Sequence, residues 1–449
     1  MKIDRVKLAL DKATQTKALC IGQGVLVEVP RIFSEQFPNR RAMVVADQSS
    51  YEVAGREVEE HLRQAGIPLD DSYIFNEPGM HAEWKYIDRL DAVLAQTDAI
   101  AIAVGSGTIN DTTKLSSYHN ERPYMIVATA ASMDGYVAFG ASITKDGAKT
   151  TFPCSAPRAV VADIDVLATA PAAMTASGYA DLFAKVPAGA DWILADALEV
   201  EPIDPVAFSI VQGGLHDALA DPEGARSGDP KALTDLIEGL MLGGFAMQAY
   251  PASSRPASGA EHQFSHLLNM ENFVMKNGEP PSHGFQVSIG TLVSLSFYES
   301  LLVSDIEGLD VEQCVSRWPS LEEQEQRALQ MFVDSDFPTL GATEIKAKYV
   351  TPEQLRQQLQ LLKERWPETR ERLKRQLVSV DEAVRRLKTV GAPTMPEDID
   401  LPRARLRDSI IRAQHIRRRF TILDLGVRTG LLPQWTDRLF GKGGLWEII

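Results

Sequence analysis

Residues 99–111 read AIAIAVGSGTIND. Six apolar residues, Ala alternating with Ile and Val, run without a charge into a glycine-rich turn. So short and apolar a run is expected as a strand covered on both faces, as in parallel sheets. The turn then opens a helix over 108–118. Gly105 and Gly107 let the backbone approach a ligand closely, and Thr108 with the first amides of the helix offers donors to a pyrophosphate. The pattern G-x-G-x-x-x-D is neither the dinucleotide fingerprint G-x-G-x-x-G nor the phosphate loop G-x-x-x-x-G-K-[ST]. Glycines also occur at such turns for steric reasons alone. Position, directly after a buried strand, makes this turn a candidate site.

Outward from it, further strands are expected at 41–47 (RAMVVAD), 71–75, 124–128 and 158–163, with helices at 51–65 and 81–96 and a hairpin over 137–151. Strands alternating with helices of this length predict an α/β domain with a doubly wound, mostly parallel sheet. Ligands of such sheets sit beyond the carboxyl ends of the strands. Asp47 ends one strand, where a carboxylate suits a ribose diol and repels a 2′-phosphate; it equally suits a helix cap. Thr129 and Ser132 follow another strand. Asp134, before Gly135, fits an Asx-turn as well as a ligand role.

From about residue 170 the periodicity is helical, so the chain divides into 1–168, α/β, and 169–449, an all-α domain with a helical extension. SGYADLFAKVPAGADW (177–192) reads as one helix, with others at 205–220, 230–250, 258–276 and 284–304 and an amphipathic pair within 351–375. Three of eight histidines, His262, His266 and His283, fall within 22 residues. His262 and His266 are four apart and share a helix face, while His283 opens the next apolar stretch. Asp181, among small and apolar neighbours, is a charge that needs a metal or a partner; Lys185, four residues on, is the ordinary partner. Seven arginines fall between 403 and 420. They fit a solvated face, a subunit contact or an anion-facing helix.

A net charge of -15 argues against nonspecific nucleic-acid binding. No apolar run approaches 18 residues, so no membrane partner is expected. Cys20, Cys154 and Cys314, odd in number and far apart, are expected as reduced thiols in a cytoplasmic protein.

Together GSGTINDTTK, TAASMDGY, SGYADLFAK, SSRPASGAEHQFSH and SHGFQVSIGT resemble the sn-glycerol-1-phosphate dehydrogenases, closest to the bacterial branch associated with arabinose operons. These belong with the iron-containing alcohol dehydrogenases, glycerol dehydrogenase and dehydroquinate synthase. The resemblance runs from Asp47 to about Thr291 and implies the dehydroquinate synthase-like fold. It implies NAD(H), with NADP(H) as the alternative, held by Asp47, Gly105, Gly107, Thr108, Ile109, Asn110, Asp111, Thr129 and Ser132. It implies one divalent metal, zinc or nickel, on Asp181, His262 and His283, and catalytic or substrate-contacting roles for Asp134, Asp181 and His266. Ala138 departs from the pattern, standing where relatives often carry a serine near the cofactor. The implied reaction reduces dihydroxyacetone phosphate to sn-glycerol 1-phosphate in a cytoplasmic homodimer. The alternatives are a related dehydrogenase acting on another polyol, and a dehydroquinate synthase-like enzyme, whose group has Glu at the position of Asp181.

Overall fold

The strand after Ala99 lies inside a six-stranded sheet. The computed structural model describes residues 5–146 and 148–448. Its strands are β1 (Ala18–Gly22), β2 (Ala42–Asp47), β3 (Tyr73–Phe75), β4 (Ile100–Gly105), β5 (Met125–Ala128), β6 (Ala141–Lys145), β7 (Ala148–Phe152) and β8 (Ala159–Asp163). The large sheet runs β1-β8-β5-β4-β2-β3, and every neighbouring pair is parallel. β4, β5 and β8 are buried from end to end, and β2 is buried until Asp47. This is why they read as continuous apolar runs.

β1 was not expected. ALCIG is an edge strand, half-buried at every residue, and its apolar run, Ala18 to Ile21, is only four residues long. The expected hairpin is present as the antiparallel pair β6–β7.

The registers Val45↔Ala103 and Gly105↔Ala128 bring the carboxyl ends of β2, β4 and β5 side by side. Asp47, the Gly105 turn and Thr129 therefore share one sheet edge. Beneath it one face of the sheet packs Val44, Ile102, Val104, Val127 and Val161 against Leu26, Phe33, Val58 and Leu62. Each such side chain contributes about 1.5–3 kcal/mol on burial.

By contact the chain forms two compact units. The first comprises Met1–Leu182, Ser209–Ser254 and Thr389–Gly391; the second comprises Phe183–Phe208, Arg255–Lys388 and Ala392–Ile449. The helical segment 209–254 thus belongs with the sheet, whereas a single cut at 168 groups it with the other helices. The second unit is built of helices; among the described residues it contains no strand.

Three helical expectations need correcting, the first being 205–220, which divides into Pro205–Gln212 and Leu215–Ala218. SGYADLFAKVPAGADW is divided between two helices, Ala172–Phe183 and Lys185–Ala197. Pro187 lacks the N–H that would bond to the carbonyl of Phe183 and crowds that turn. The expected pair within 351–375 is a single helix, Pro352–Gln376, with Pro367 inside it. Its buried stripe, Leu355, Leu359, Leu362, Trp366 and Leu373, carries the helix through the proline.

The helix His283–Val303 is long and apolar enough to span a bilayer, but 78% of its apolar window is buried inside the protein. It is a core helix.

Candidate active site

At the sheet edge β4 ends in Gly105, and a helix (Gly107–His119) begins two residues later. A Cβ on Gly105 would lie 2.6 Å from the Ile109 side chain, so this glycine is required by packing. Ile109 and Asn110 are fully buried. Asn110 accepts the Tyr124 hydroxyl at 3.0 Å and donates to Asp111 at 3.0 Å, and Asp111 accepts the Ser142 N–H at 2.9 Å. These three side chains brace the turn. What the turn offers a ligand is backbone: no side chain caps this helix, and its first N–H groups have no intrahelical acceptors. Gly107, Thr108, Thr129 and Ser132 are half-buried around it, Ser132 beside the Tyr136 hydroxyl. Asp47 takes up the helix cap: its Oδ1 accepts the Ser50 N–H at 2.8 Å, with the reciprocal bond from Asp47 N–H to the Ser50 hydroxyl.

The loop after β5 carries Asp134. Lys114, on the Gly107–His119 helix and buried, donates to the carbonyls of Gly135 (2.9 Å), Ala138 (3.2 Å) and Gly140 (3.2 Å). One ammonium thus ties the loop to the helix behind the glycine turn. Sequence reasoning missed it, although a lysine amid TTKLSS on a helix with no polar face was a signal. The helix Ala172–Phe183 meets the same loop at Gly178, where a Cβ would sit 1.9 Å from the Ala131 carbonyl oxygen. Only glycine permits that approach. One turn on, Asp181 is fully buried and its Oδ2 accepts the Asp134 N–H at 3.0 Å.

His262 and His266 lie on the helix Ala260–Met270, and His283 is the first residue of the next, capped by Ser282. A Cβ on Gly290 would come within 2.3 Å of the Glu261 carbonyl oxygen, so the two helices pack backbone to backbone. The rings of His262 and His283 are 5.2 Å apart between centroids, those of His262 and His266 6.3 Å. Ligand atoms of Asp181, His262 and His283 lie within 4.8 Å of one another.

The protein also orients both imidazoles. His262 Nδ1 faces Glu261 Oε1 at 2.8 Å, and a carboxylate can only accept, so Nδ1 carries the proton. Gln286 donates to the Pro281 carbonyl (2.9 Å) and Asn269 (3.1 Å), which turns its oxygen toward the Ser265 hydroxyl at 3.0 Å. Ser265 donates there, so it accepts from His283 Nδ1 at 3.2 Å. A neutral imidazole held at Nδ1 in this way carries its lone pair on Nε2, the state a metal ligand needs. His266, half-buried, is held neutral: burial first, then Arg417, His262, His283 and Arg419 push its pKa well below the usual histidine value.

Below the histidines lies a polar network that the sequence did not reveal. Asp191 is fully buried; it accepts from Ala260 N–H (2.7 Å), the Tyr298 hydroxyl (2.6 Å) and Ile422 N–H (2.7 Å). Arg255 donates to the carbonyls of Asp191 (2.9 Å) and Phe420 (2.8 Å). Burial, then Glu261, raises Asp191 to about 7.

The chain's α/β part matches the family described as iron-containing alcohol dehydrogenase over residues 20–171. Solved structures share the fold at low identity. A probable glycerol dehydrogenase from Sinorhizobium meliloti aligns at 16% identity over 94% of this chain and 97% of its own, with a TM-score of 0.57. Glycerol dehydrogenase from Schizosaccharomyces pombe aligns at 15%, over 95% and 91%, with a TM-score of 0.59. The class of fold is thus that of the glycerol dehydrogenases and iron-containing alcohol dehydrogenases. Within it, a glycerol-1-phosphate dehydrogenase [NAD(P)+] of Bacillus velezensis is 34% identical over 64% of this chain and 73% of its own. That of Pyrococcus furiosus is 32% identical, over 62% and 77%, and that of Halalkalibacterium halodurans 33%, over 59% of this chain but 66% of its own, just under two thirds. The chain belongs to the glycerol-1-phosphate dehydrogenase family.

Proposed function

We propose that this chain reduces dihydroxyacetone phosphate to sn-glycerol 1-phosphate, with NADH as preferred reductant and zinc or nickel as metal. The observation that carries the reading is the convergence of Asp181, His262 and His283, two of them with Nε2 lone pairs prepared by fixed partners. One carboxylate and two imidazoles suit a borderline divalent cation and leave coordination positions open. A divalent cation held there supplies Lewis acidity toward a carbonyl, and a bound nicotinamide supplies the hydride.

The chain's own residues do the rest. The bare N-terminus of the Gly107–His119 helix, with Thr108, takes the pyrophosphate. Asp47 meets the adenosine ribose, and Thr129 and Ser132 lie further along the cofactor. Asp134 holds a substrate hydroxyl. His266, neutral, accepts a proton from water on one nitrogen while giving one up from the other, relaying it to the developing alkoxide. The cytoplasm and a homodimer are part of this reading; the three cysteines are free, which supports a reducing compartment.

The test is NADH oxidation by zinc- and nickel-loaded protein with dihydroxyacetone phosphate against dihydroxyacetone. Steady turnover with a strong preference for the phosphorylated ketone is expected. A preference for the unphosphorylated one sinks the substrate assignment, and no steady NADH turnover sinks the dehydrogenase reading.

A further inference from the structure

The helix Arg403–His415 packs against the helix Ala260–Met270. Its position is fixed at two points. Arg405 and Arg412 pair with Glu271, just past the end of the histidine helix, at 3.0 and 2.6 Å. Arg419, in the segment that follows, donates to the Ser258 carbonyl at 2.6 Å and to the Ser258 hydroxyl, just before the start of the histidine helix. The two segments therefore run antiparallel, and Arg417 falls between the fixed points, alongside the stretch that carries His262 and His266. Consistent with this, Arg417 is the charged group that most disfavours protonation of His266.

Three consecutive arginines occur here, and they are not equivalent. Arg418 is paired with both oxygens of Glu344 at 3.1 and 2.8 Å. Arg419 is bonded to Ser258. Arg417 is half-buried, yet among the described residues it makes no hydrogen bond and no ion pair. A guanidinium taken partly out of water without an acceptor is costly unless a ligand supplies one. Its planar fork matches two oxygens of a phosphate.

We propose that Arg417 binds the phosphate group of the substrate, beside His266, and so sets the preference for a phosphorylated over an unphosphorylated ketone. The inference rests on the reading that the substrate is a triose phosphate. It gives the arginine-rich segment near the C-terminus a job: one arginine for the anion, with those on either side anchoring the segment that presents it.

The experiment uses the metal-loaded full chain and compares Arg417→Ala, Arg417→Lys and Arg418→Ala with dihydroxyacetone phosphate and dihydroxyacetone. Arg417→Ala is expected to raise KM for the phosphorylated ketone about tenfold to a hundredfold, the worth of a lost bidentate charge-assisted contact. It should leave kcat/KM for dihydroxyacetone within about twofold. Arg417→Lys, which keeps the charge and folds if Ala does not, should show a smaller rise, and Arg418→Ala none. Inorganic phosphate should raise the unfolding temperature of the wild type and not of Arg417→Ala. Equal losses on both ketones, or an unchanged KM for the phosphorylated one, overturn the assignment of Arg417. A wild type with no preference for the phosphorylated ketone removes the substrate reading, and Arg417 with it; this differs from a preferring wild type whose preference survives Arg417→Ala.

Discussion

Asp181 and Asp191 are ten residues apart, both on helices and both fully buried, yet the protein treats them in opposite ways. Asp191 is surrounded by donors from three elements: the first N–H of the His262 helix, the Tyr298 hydroxyl and the Ile422 N–H. It is a structural carboxylate that ties helix ends together. Asp181 accepts the Asp134 N–H and lies within 4.8 Å of ligand atoms of two imidazoles, each turned by its own partner. A buried carboxylate needs donors or a cation; the first has donors from three elements, and the second is grouped with two imidazoles in a set that could hold a cation.

Exchanging them should therefore break different things. Asp181→Ala is expected to lose bound metal, measured by metal analysis of dialysed protein. Activity should fall with it by about a thousandfold or more, since Lewis-acid stabilisation amounts to several kcal/mol, while unfolding temperature in the metal-free state hardly changes. Asp191→Asn should do the reverse, keeping the metal ligands and destabilising the second unit by about 1–3 kcal/mol, the cost of leaving a buried donor without its acceptor. Metal loss in the second variant with normal stability would erase the distinction.

The same residue makes a pH prediction. Asp191 is raised from 3.8 to about 7, so the folded state holds a proton that the unfolded state has released between those values. The stability this contributes is fully present below pH about 4 and is lost as pH rises through about 7. The gap in unfolding temperature between wild type and Asp191→Asn should hence be wider at pH 5 than at pH 8. A gap that widens toward pH 8 would refute the assignment.

The contrast also marks what was legible in the sequence. β2, β4, β5 and β8 were readable because strands buried on both faces become continuous apolar runs, whereas the edge strand β1 left only the four apolar residues Ala18 to Ile21, a trace short enough to pass over. Histidines at 262, 266 and 283 could be read as a cluster from their spacing and rarity. Their division of labour is implied by the family resemblance alone and not by spacing, because the partners that orient the rings, Glu261, Ser265 and Gln286, are ordinary polar residues brought together only once two helices pack at Gly290. Asp191 was invisible for the same reason: its donors come from residues 260, 298 and 422. The expected helix through 177–192 failed on Pro187, a local signal that was there to be used. Lys114 gave a milder one, a cation on a helix with no wet face.

Glu261→Gln probes the comparison at a finer level. It keeps the size and an acceptor for His262 Nδ1 but removes the charge that makes the imidazole a stronger donor to metal. Such partners affect metal affinity by about 10- to 100-fold, so competition with a chelator should show a shift in that range with little change in fold. An unchanged metal affinity would make Glu261 only the acceptor of the Gly259 N–H at 2.6 Å.

Asp47 is the case between the two aspartates. Like Asp191 it accepts a helix N–H, from Ser50 at 2.8 Å; unlike Asp191 it stands half-exposed at the sheet edge beside the glycine turn. If the cap is its whole purpose, Asp47→Asn, an equally good cap, should change nothing. If its charge also faces the ribose, the same substitution should relax discrimination against NADPH. The expected change in the ratio of kcat/KM for NADH over NADPH is about fivefold, the worth of ~1 kcal/mol between two charges 4 Å apart in water. Asp47→Ala should show the same relaxation together with about 1 kcal/mol of lost stability from the cap. The two readings make independent contributions, so the pair of variants separates them: stability reports the cap, and the cofactor ratio reports the charge.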